Sequence, residues 1–229
     1  MATKTTKKTI RKKATSASTP YRPYHRHGEF IFLLVIATLA IAFFMVPMNF
    51  WLKLAGAFIL LILLPTNVLR EYWPKLQLHE LGWRRPTHPR TPWLYSAVVI
   101  ALAFLPLVLF FTVTNPAGLT AVSPRGAWLE WLIAEVLVAG LWLMQTAFFH
   151  GLVLFRLTHL TRPWIAMLIV GLLMGISQMF GPGSLQIFLL PTAVAMIWLA
   201  WQTRSFVPAA VATIGISFLF DLFVRLTVA

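Results

Sequence analysis

Three polar side chains interrupt an otherwise apolar stretch in the second half of the chain. Gln145, Thr146 and His150 lie within a run that stays apolar as far as Leu157. Inserting a polar side chain at membrane depth costs about 1–3.5 kcal/mol, so a helix keeps such residues where a bundle interior uses them. His150 can act as a general base or a metal ligand near neutral pH. Gln145 and Thr146 offer hydrogen-bonding groups.

A second polar set lies near the C-terminus and is evenly spaced. Thr213, Ser217, Asp221 and Arg225 follow one another at intervals of four residues, which places them in one continuous stripe on a helix. The carboxylate of Asp221 is a second titratable group. Because charge is costly in lipid, we expect this stripe to face the interior of a bundle.

A third set is shorter and lies between the other two. Ser177 and Gln178 fall within one turn of Gly175, and Gly171 completes a small-xxx-small face that allows another helix to approach closely. We therefore expect the fourth, fifth and seventh apolar segments to meet around a polar pocket. An alternative without chemistry stays open, since amides, hydroxyls and an ion pair can also hold membrane helices together.

The composition places the whole chain in the membrane class. Of its 229 residues 59% are hydrophobic and only 11% are charged, and the mean hydropathy is +0.79. A water-soluble domain of this size could not bury so much apolar surface. The chain has no cysteine, which excludes disulfides, a cysteine nucleophile and thiolate metal ligands.

The apolar runs predict an all-α bundle of about seven transmembrane helices, with eight as the upper limit. The expected spans are 30–46, 50–69, 93–113, 128–149, 163–180, 184–202 and 205–227. The fourth span either continues as one long helix to Leu157 or breaks near Gly151. Since the 70–92 loop is the only sizeable polar segment after the N-terminal tail, residues 29–229 are expected to form a single membrane domain.

Residues 1–28 form a basic tail with no acidic residue before Glu29. The tail suits three uses: a nucleic-acid arm, an organellar transit peptide, or a flank held near anionic lipid. We favour the disordered cytoplasmic flank bound to anionic lipid, and expect no nucleic-acid partner.

The distribution of positive charge predicts the orientation in the membrane. If the N-terminus is cytoplasmic, all but three of the nineteen Lys and Arg residues lie on the cytoplasmic side, the exceptions being Lys53, Arg125 and Arg225. This asymmetry supports a cytoplasmic N-terminus and, with seven spans, a C-terminus on the opposite side.

Three segments, taken together, resemble the CAAX-protease and bacteriocin-processing intramembrane peptidases. That family has a Glu-Glu-x-x-x-Arg-Gly motif, then Phe-x-x-x-His, then His-x-x-x-Asn/Asp. Here the first aligns with 145–151, the second with 174–178, and the third with either 213–217 or 217–221. The segment 81–86 is similar to the family's Leu-Gly-Leu-Arg-Arg stretch before the core. The resemblance covers about 78–229 and implies the family's membrane fold and a bacterial-type plasma membrane.

The motif residues themselves depart from the family. Its Glu and His residues organise a metal-bound or carboxylate-activated water that attacks a peptide bond. The matching positions here are Gln145, Thr146, His150, Gln178, and Thr213 or Ser217, with Asp221 ending one of the two alignments. An amide cannot take a proton near neutral pH and is a poor ligand for a transition metal, so no cofactor is expected.

His150 and Asp221 are then the titratable residues left for any activity. One His and one carboxylate fall short of the three protein ligands usual for catalytic zinc. Glu135 lies ten residues before Gln145, about 15 Å along a helix, and is expected to be out of reach of the pocket. It would lie near the outer membrane surface, or pair with Arg125 or with a neighbouring helix.

We therefore expect a protein with the peptidase fold but without metallopeptidase activity. It would act by binding a membrane protein, a lipid or a peptide in the old substrate cavity. One alternative is an active peptidase with a rewired site around His150 and Asp221, in which case zinc would be its cofactor. Another is a small proton or solute transporter with Asp221 as its titrating group.

Overall fold

A computed structural model describes residues 24–46, 48–72, 78–84, 86, 90–114, 127–179 and 186–228. Within these ranges the chain forms helices and short connections without a strand, which confirms the predicted all-α fold. We number seven long helices. They are α1 (Tyr24–Met45), α2 (50–72), α3 (91–114), α4 (128–160), α5 (Pro163–Met179), α6 (Gln186–Thr203) and α7 (Val207–Val228).

Five of these helices are long and apolar enough to cross a membrane. The qualifying stretches are His27–Met45, Phe50–Leu69, Thr91–Leu109, Trp128–Leu160 and Val207–Thr227, and the described part of α5 adds a shorter apolar helix, Pro163–Ile176. Each of the five exceeds the roughly 18 residues that make a membrane-helix candidate. Fold and composition together define an integral membrane protein built as a helical bundle.

Local sequence signals explain where several helices begin. Asn49 caps α2, because its side-chain Oδ1 accepts a hydrogen bond of 3.0 Å from the backbone N–H of Trp51. Pro92 is at the start of α3, Pro163 is the first residue of α5, and Pro208 is the second residue of α7. Proline is tolerated in a first turn because the backbone N–H there has no intrahelical partner.

The fourth helix is continuous to Leu160 and contains a π-helical turn. It runs as Trp128–Thr146, then the π turn Ala147–Val153, then Leu154–Leu160. The break near Gly151 that the sequence left open therefore does not occur. The widened turn keeps the helix intact while rotating the residues after it.

The π turn of α4 lies at the centre of the bundle. All seven of its residues are buried, and it contacts α1, α5, α6, α7 and a second π turn, Phe58–Leu63, in α2. The surrounding core is apolar and includes Phe148, Phe149 and Leu154. The side chains of this turn, including that of His150, are therefore enclosed by protein.

The segment before α3 docks against this centre. Gly82 has a positive φ of 78° and sits so close to Phe155 that no side chain would fit. The preceding Leu81 places its carbonyl oxygen 2.9 Å from where a Cβ on Gly151 would lie. In the sequence, 81–86 is similar to the stretch that precedes the core of the peptidase family. In the structure, Leu81 and Gly82 of this segment pack against α4.

A buried ion pair joins α1 to α4. Nε and Nη2 of Arg156 both lie 2.5 Å from Oε1 of Glu29, and the two residues are 6% and 3% exposed. The charge distribution counted Arg156 only among the cytoplasmic cations and did not predict this pair. Glu29 and Arg156 lie 127 residues apart in the chain, so no local pattern links them.

Candidate functional site

The first predicted set lies in the buried second half of α4. Gln145, Thr146 and His150 are 6%, 2% and 1% exposed. The Thr146 hydroxyl donates a hydrogen bond of 2.7 Å to the carbonyl oxygen of Trp142 on its own helix, which satisfies it without a ligand. Neither ring nitrogen of His150 has a hydrogen-bond partner among the described residues.

The second predicted set runs along α7. The Thr213 hydroxyl donates to the carbonyl oxygen of Ala209 at 2.9 Å, again within one helix. Thr213, Ser217 and Asp221 are half-buried, whereas Arg225 is buried. The stripe therefore faces protein along part of its width, in keeping with the expectation that it avoids lipid.

Asp221 meets an acidic residue of α4. The side chains of Glu135 and Asp221 are within hydrogen-bonding reach of each other. Two carboxyl groups can share a hydrogen bond only when one of them keeps a proton, because two carboxylates are both acceptors. This contact joins the first half of α4 to the second half of α7.

Arg225 lies one helical turn beyond this pair and stacks on tryptophan. Its guanidinium carbon is 4.3 Å from the ring centroid of Trp128 and 5.6 Å from that of Trp131. Stacking on aromatic faces stabilises a guanidinium that has been removed from water. Trp128, Trp131 and Glu135 thus present one face of α4 to Asp221 and Arg225 of α7.

A groove with a cavity of about 130 Å³ opens beside the carboxyl pair. It lies between α4 and α7, and most of its lining is aliphatic or aromatic. The lining residues are Leu132, Glu135, Val136, Val138, Ala139, Trp142, Ile214, Ser217 and Phe218. Its polar groups are a carboxyl and a hydroxyl, so the groove combines an apolar surface with a small polar patch.

The structure divides the predicted single pocket into two places. Asp221 contacts Glu135, and Glu135 precedes His150 by fifteen residues on the same helix, a rise of roughly 20 Å. Gln145, Thr146 and His150 are buried in the core, whereas Ser217 lines the groove and Asp221 contacts the groove residue Glu135. His150 and Asp221 are consequently too far apart to act on one water molecule.

Glu135 was expected to be out of reach of the pocket, and for the pocket residue Asp221 that prediction is wrong. Glu135 is far from Gln145 along α4, but Asp221 reaches it from the neighbouring helix α7. In a bundle with alternating helix directions α4 and α7 are antiparallel, so the first turns of one face the last turns of the other. Applying that rule to the predicted spans would have paired Glu135 with Asp221.

The polar residues of α5 are described only in their backbone. Ser177 and Gln178 lie in the last turn of α5, and their side chains are outside the described part of the structure. Gly171 packs against α6, with Ile197 Cδ1 3.6 Å from the position of an added Cβ. That close approach fits the small-residue face, and the participation of Gln178 in the site stays a prediction.

The donor set does not fit a catalytic metal. No three His, Asp or Glu side chains of the described residues are grouped so that they could hold an ion. His150 stands among apolar side chains, and the carboxyl pair offers two oxygen-bearing groups without a nitrogen ligand. A zinc site needs three protein ligands converging on one point.

The fold and this site place the protein among multipass helical membrane proteins with a polar contact inside the bundle. Comparison with protein families, with curated proteins and with solved structures finds no match. Activity must therefore be argued from the two sites themselves.

Proposed function

We propose that this protein acts by binding a partner within the bilayer, without peptidase activity. The partner would be a lipid tail, a peptide or a membrane helix lying in the groove between α4 and α7. The observation that supports this function is the separation of the polar residues, because Asp221 is engaged with Glu135 while His150 is enclosed in the core. A peptidase with a rewired site would need both residues at one water molecule.

The groove has the character of a binding surface in a membrane. Val136 on its rim is 71% exposed, and Ala139 leaves room in its floor. A membrane-embedded partner could enter sideways and place a hydrogen-bonding group near Glu135 and Ser217. Its apolar parts would meet Trp142 and Phe218.

Photocrosslinking from the groove tests this function. A photoreactive amino acid at Val136 should give one adduct of defined mass in native membranes, whereas the same group at Leu102, which is 68% exposed on α3, should give a broad mixture of bulk lipids. Intact-mass measurement identifies the adduct as lipid or peptide.

Filling the groove supplies the matched control. Ala139→Trp should abolish the Val136 adduct, since its side chain would occupy the cavity, and should leave the Leu102 products unchanged. Equal mixtures from both positions would refute a binding groove. Peptide cleavage in the purified protein that depends on both His150 and Asp221 would refute the non-catalytic part of the proposal.

A second function is favoured by the carboxyl pair itself. Two carboxyl groups within hydrogen-bonding reach of each other, Glu135 and Asp221, lie beside a groove and within two membrane helices. Proton and solute transporters use acidic groups in such positions. If the protein transports protons, proton flux into proteoliposomes with a pH gradient should depend on Glu135 and Asp221. Asp221→Asn should then abolish the flux. Glu130→Gln is the control, because Glu130 is an exposed acid on α4, and this variant should keep the flux.

A further inference from the structure

Two arginine side chains meet at the end of the bundle opposite the carboxyl pair. Arg84 lies in the segment that docks before α3, and Arg204 lies in the turn between α6 and α7. Nε of Arg84 donates a hydrogen bond of 2.6 Å to the backbone carbonyl oxygen of Arg204. The hydroxyl of Ser205 donates in return to the backbone carbonyl oxygen of Arg84, at 2.7 Å.

These hydrogen bonds hold Arg84 in place and leave most of its guanidinium unused. Its terminal amino groups make no hydrogen bond with the described residues, and neither Arg84 nor Arg204 forms an ion pair with a carboxylate among them. Burial, with the positive charge of Arg204 as a second cause, lowers the pKa of Arg84. The guanidinium of Arg84 is thus held by the backbone close enough to Arg204 for the two positive charges to interact.

Two carboxylates of the described residues act on other groups. Glu29 is paired with Arg156, and Glu80 acts electrostatically on His159. The charge that acts on Arg84 is that of Arg204. Like charges held together are destabilising unless an anion lies between them.

The position of Arg84 and Arg204 indicates at which level of the membrane such an anion would lie. The candidate membrane span of α7 begins at Val207, so Arg204 lies at the edge of the hydrocarbon. Trp83 is 44% exposed and packs edge-on against Phe206, and Arg204 lies 5.7 Å from the ring centroid of Trp201. Tryptophan and arginine side chains together are typical of the headgroup layer.

We propose that Arg84 and Arg204 form a binding site for the phosphate of an anionic phospholipid. A phosphate has several acceptor oxygens and matches the planar donor fork of arginine. Basic pockets between membrane helices recognise anionic headgroups in this way. The site is distinct from the basic tail, and it does not depend on the groove between α4 and α7.

Lipid binding by the full-length protein tests the site. In a mild detergent, native mass spectrometry should show that one phosphatidylglycerol molecule binds more tightly than phosphatidylcholine. Arg204→Asn should weaken this binding by about tenfold, because a charge-assisted phosphate contact is lost. Asn suits the left-handed backbone at this position, where φ is 53°, so the fold should survive.

Arg162→Asn is the matched control, since it removes an exposed cation beyond the end of α4 and away from the pair. It should change phosphatidylglycerol binding less than twofold. Arg84→Gln is the second test variant and should weaken binding as Arg204→Asn does. Equal losses in Arg162→Asn and Arg204→Asn would overturn the proposal, because they would show a diffuse charge effect.

Competition distinguishes lipid from soluble phosphate. Inorganic phosphate in large excess should leave the bound phosphatidylglycerol in place, since the acyl chains add contacts along α6 and α7. Displacement by inorganic phosphate, or binding of inorganic phosphate with no preference for the lipid, would overturn the lipid assignment.

Discussion

The ion pair between Glu29 and Arg156 is a residue-scale contact with a large energetic consequence. Both side chains are buried and hydrogen-bonded to each other. The free energy of desolvating two charges is regained only while both are present, and removing one partner of a buried pair costs about 3–5 kcal/mol. The pair also fixes how α1 packs against α4.

We expect Arg156→Met to destabilise the folded protein by about 3–5 kcal/mol, since it leaves the Glu29 carboxylate buried without its cation. Chemical unfolding in detergent micelles, followed by tryptophan fluorescence, measures this loss. The double variant Glu29→Leu with Arg156→Met should recover much of it. A single variant as stable as the wild type would contradict the assignment of this pair as buried and closely coupled.

At the scale of elements, the π turn of α4 determines the packing of its neighbours. The helix continues through Gly151 without a break, and the π turn brings Gly151 against the carbonyl oxygen of Leu81. A larger residue there would force the docked segment away from the bundle. The first half of α4 has no such constraint.

Two glycines of α4 make this difference measurable. A Cβ at Gly151 would lie 2.9 Å from the Leu81 oxygen, whereas a Cβ at Gly140 has nothing within 4 Å. Gly151→Ala should destabilise the protein by about 1–3 kcal/mol through overpacking. Gly140→Ala should stabilise it by up to about 1 kcal/mol, because alanine is the better helix former.

Thermal unfolding of the two variants beside the wild type provides the measurement. The expected melting temperatures are lower for Gly151→Ala and unchanged or higher for Gly140→Ala. An equal change in both variants would mean that the docked segment does not press on the π turn.

For the whole molecule, charge asymmetry predicts a cytoplasmic N-terminus. Successive helices that each cross the bilayer alternate in direction, so Met48, between α1 and α2, and Arg162, between α4 and α5, should lie on opposite sides of the membrane. Both are exposed. Since the chain contains no cysteine, single cysteines can be introduced without a background.

In intact cells, a membrane-impermeant maleimide should label Met48→Cys and spare Arg162→Cys until the membrane is opened. The physical reason is that basic residues are retained on the cytoplasmic side. The reverse labelling pattern would invert the orientation, and labelling of both or neither would contradict the alternation of helices.

The sequence by itself determined the elements of this protein. Apolar runs and their prolines set the membrane class, and the helices begin and end within a few residues of the predicted spans, apart from the earlier start of α1 at Tyr24 and the extension of α4 to Leu160. These features depend on residues near one another in the chain. The four-residue spacing likewise placed Thr213, Ser217, Asp221 and Arg225 on one face.

Only the tertiary structure decided which faces meet. Asp221 contacts Glu135 rather than His150, and Arg156 is paired with Glu29. Periodicity fixes the face that a residue occupies on its own helix. Which helix packs against that face, and at what level the two helices cross, depends on the packing of all seven helices. The polar residues of one predicted pocket were therefore divided between the core of the bundle and the contact of α7 with the first half of α4.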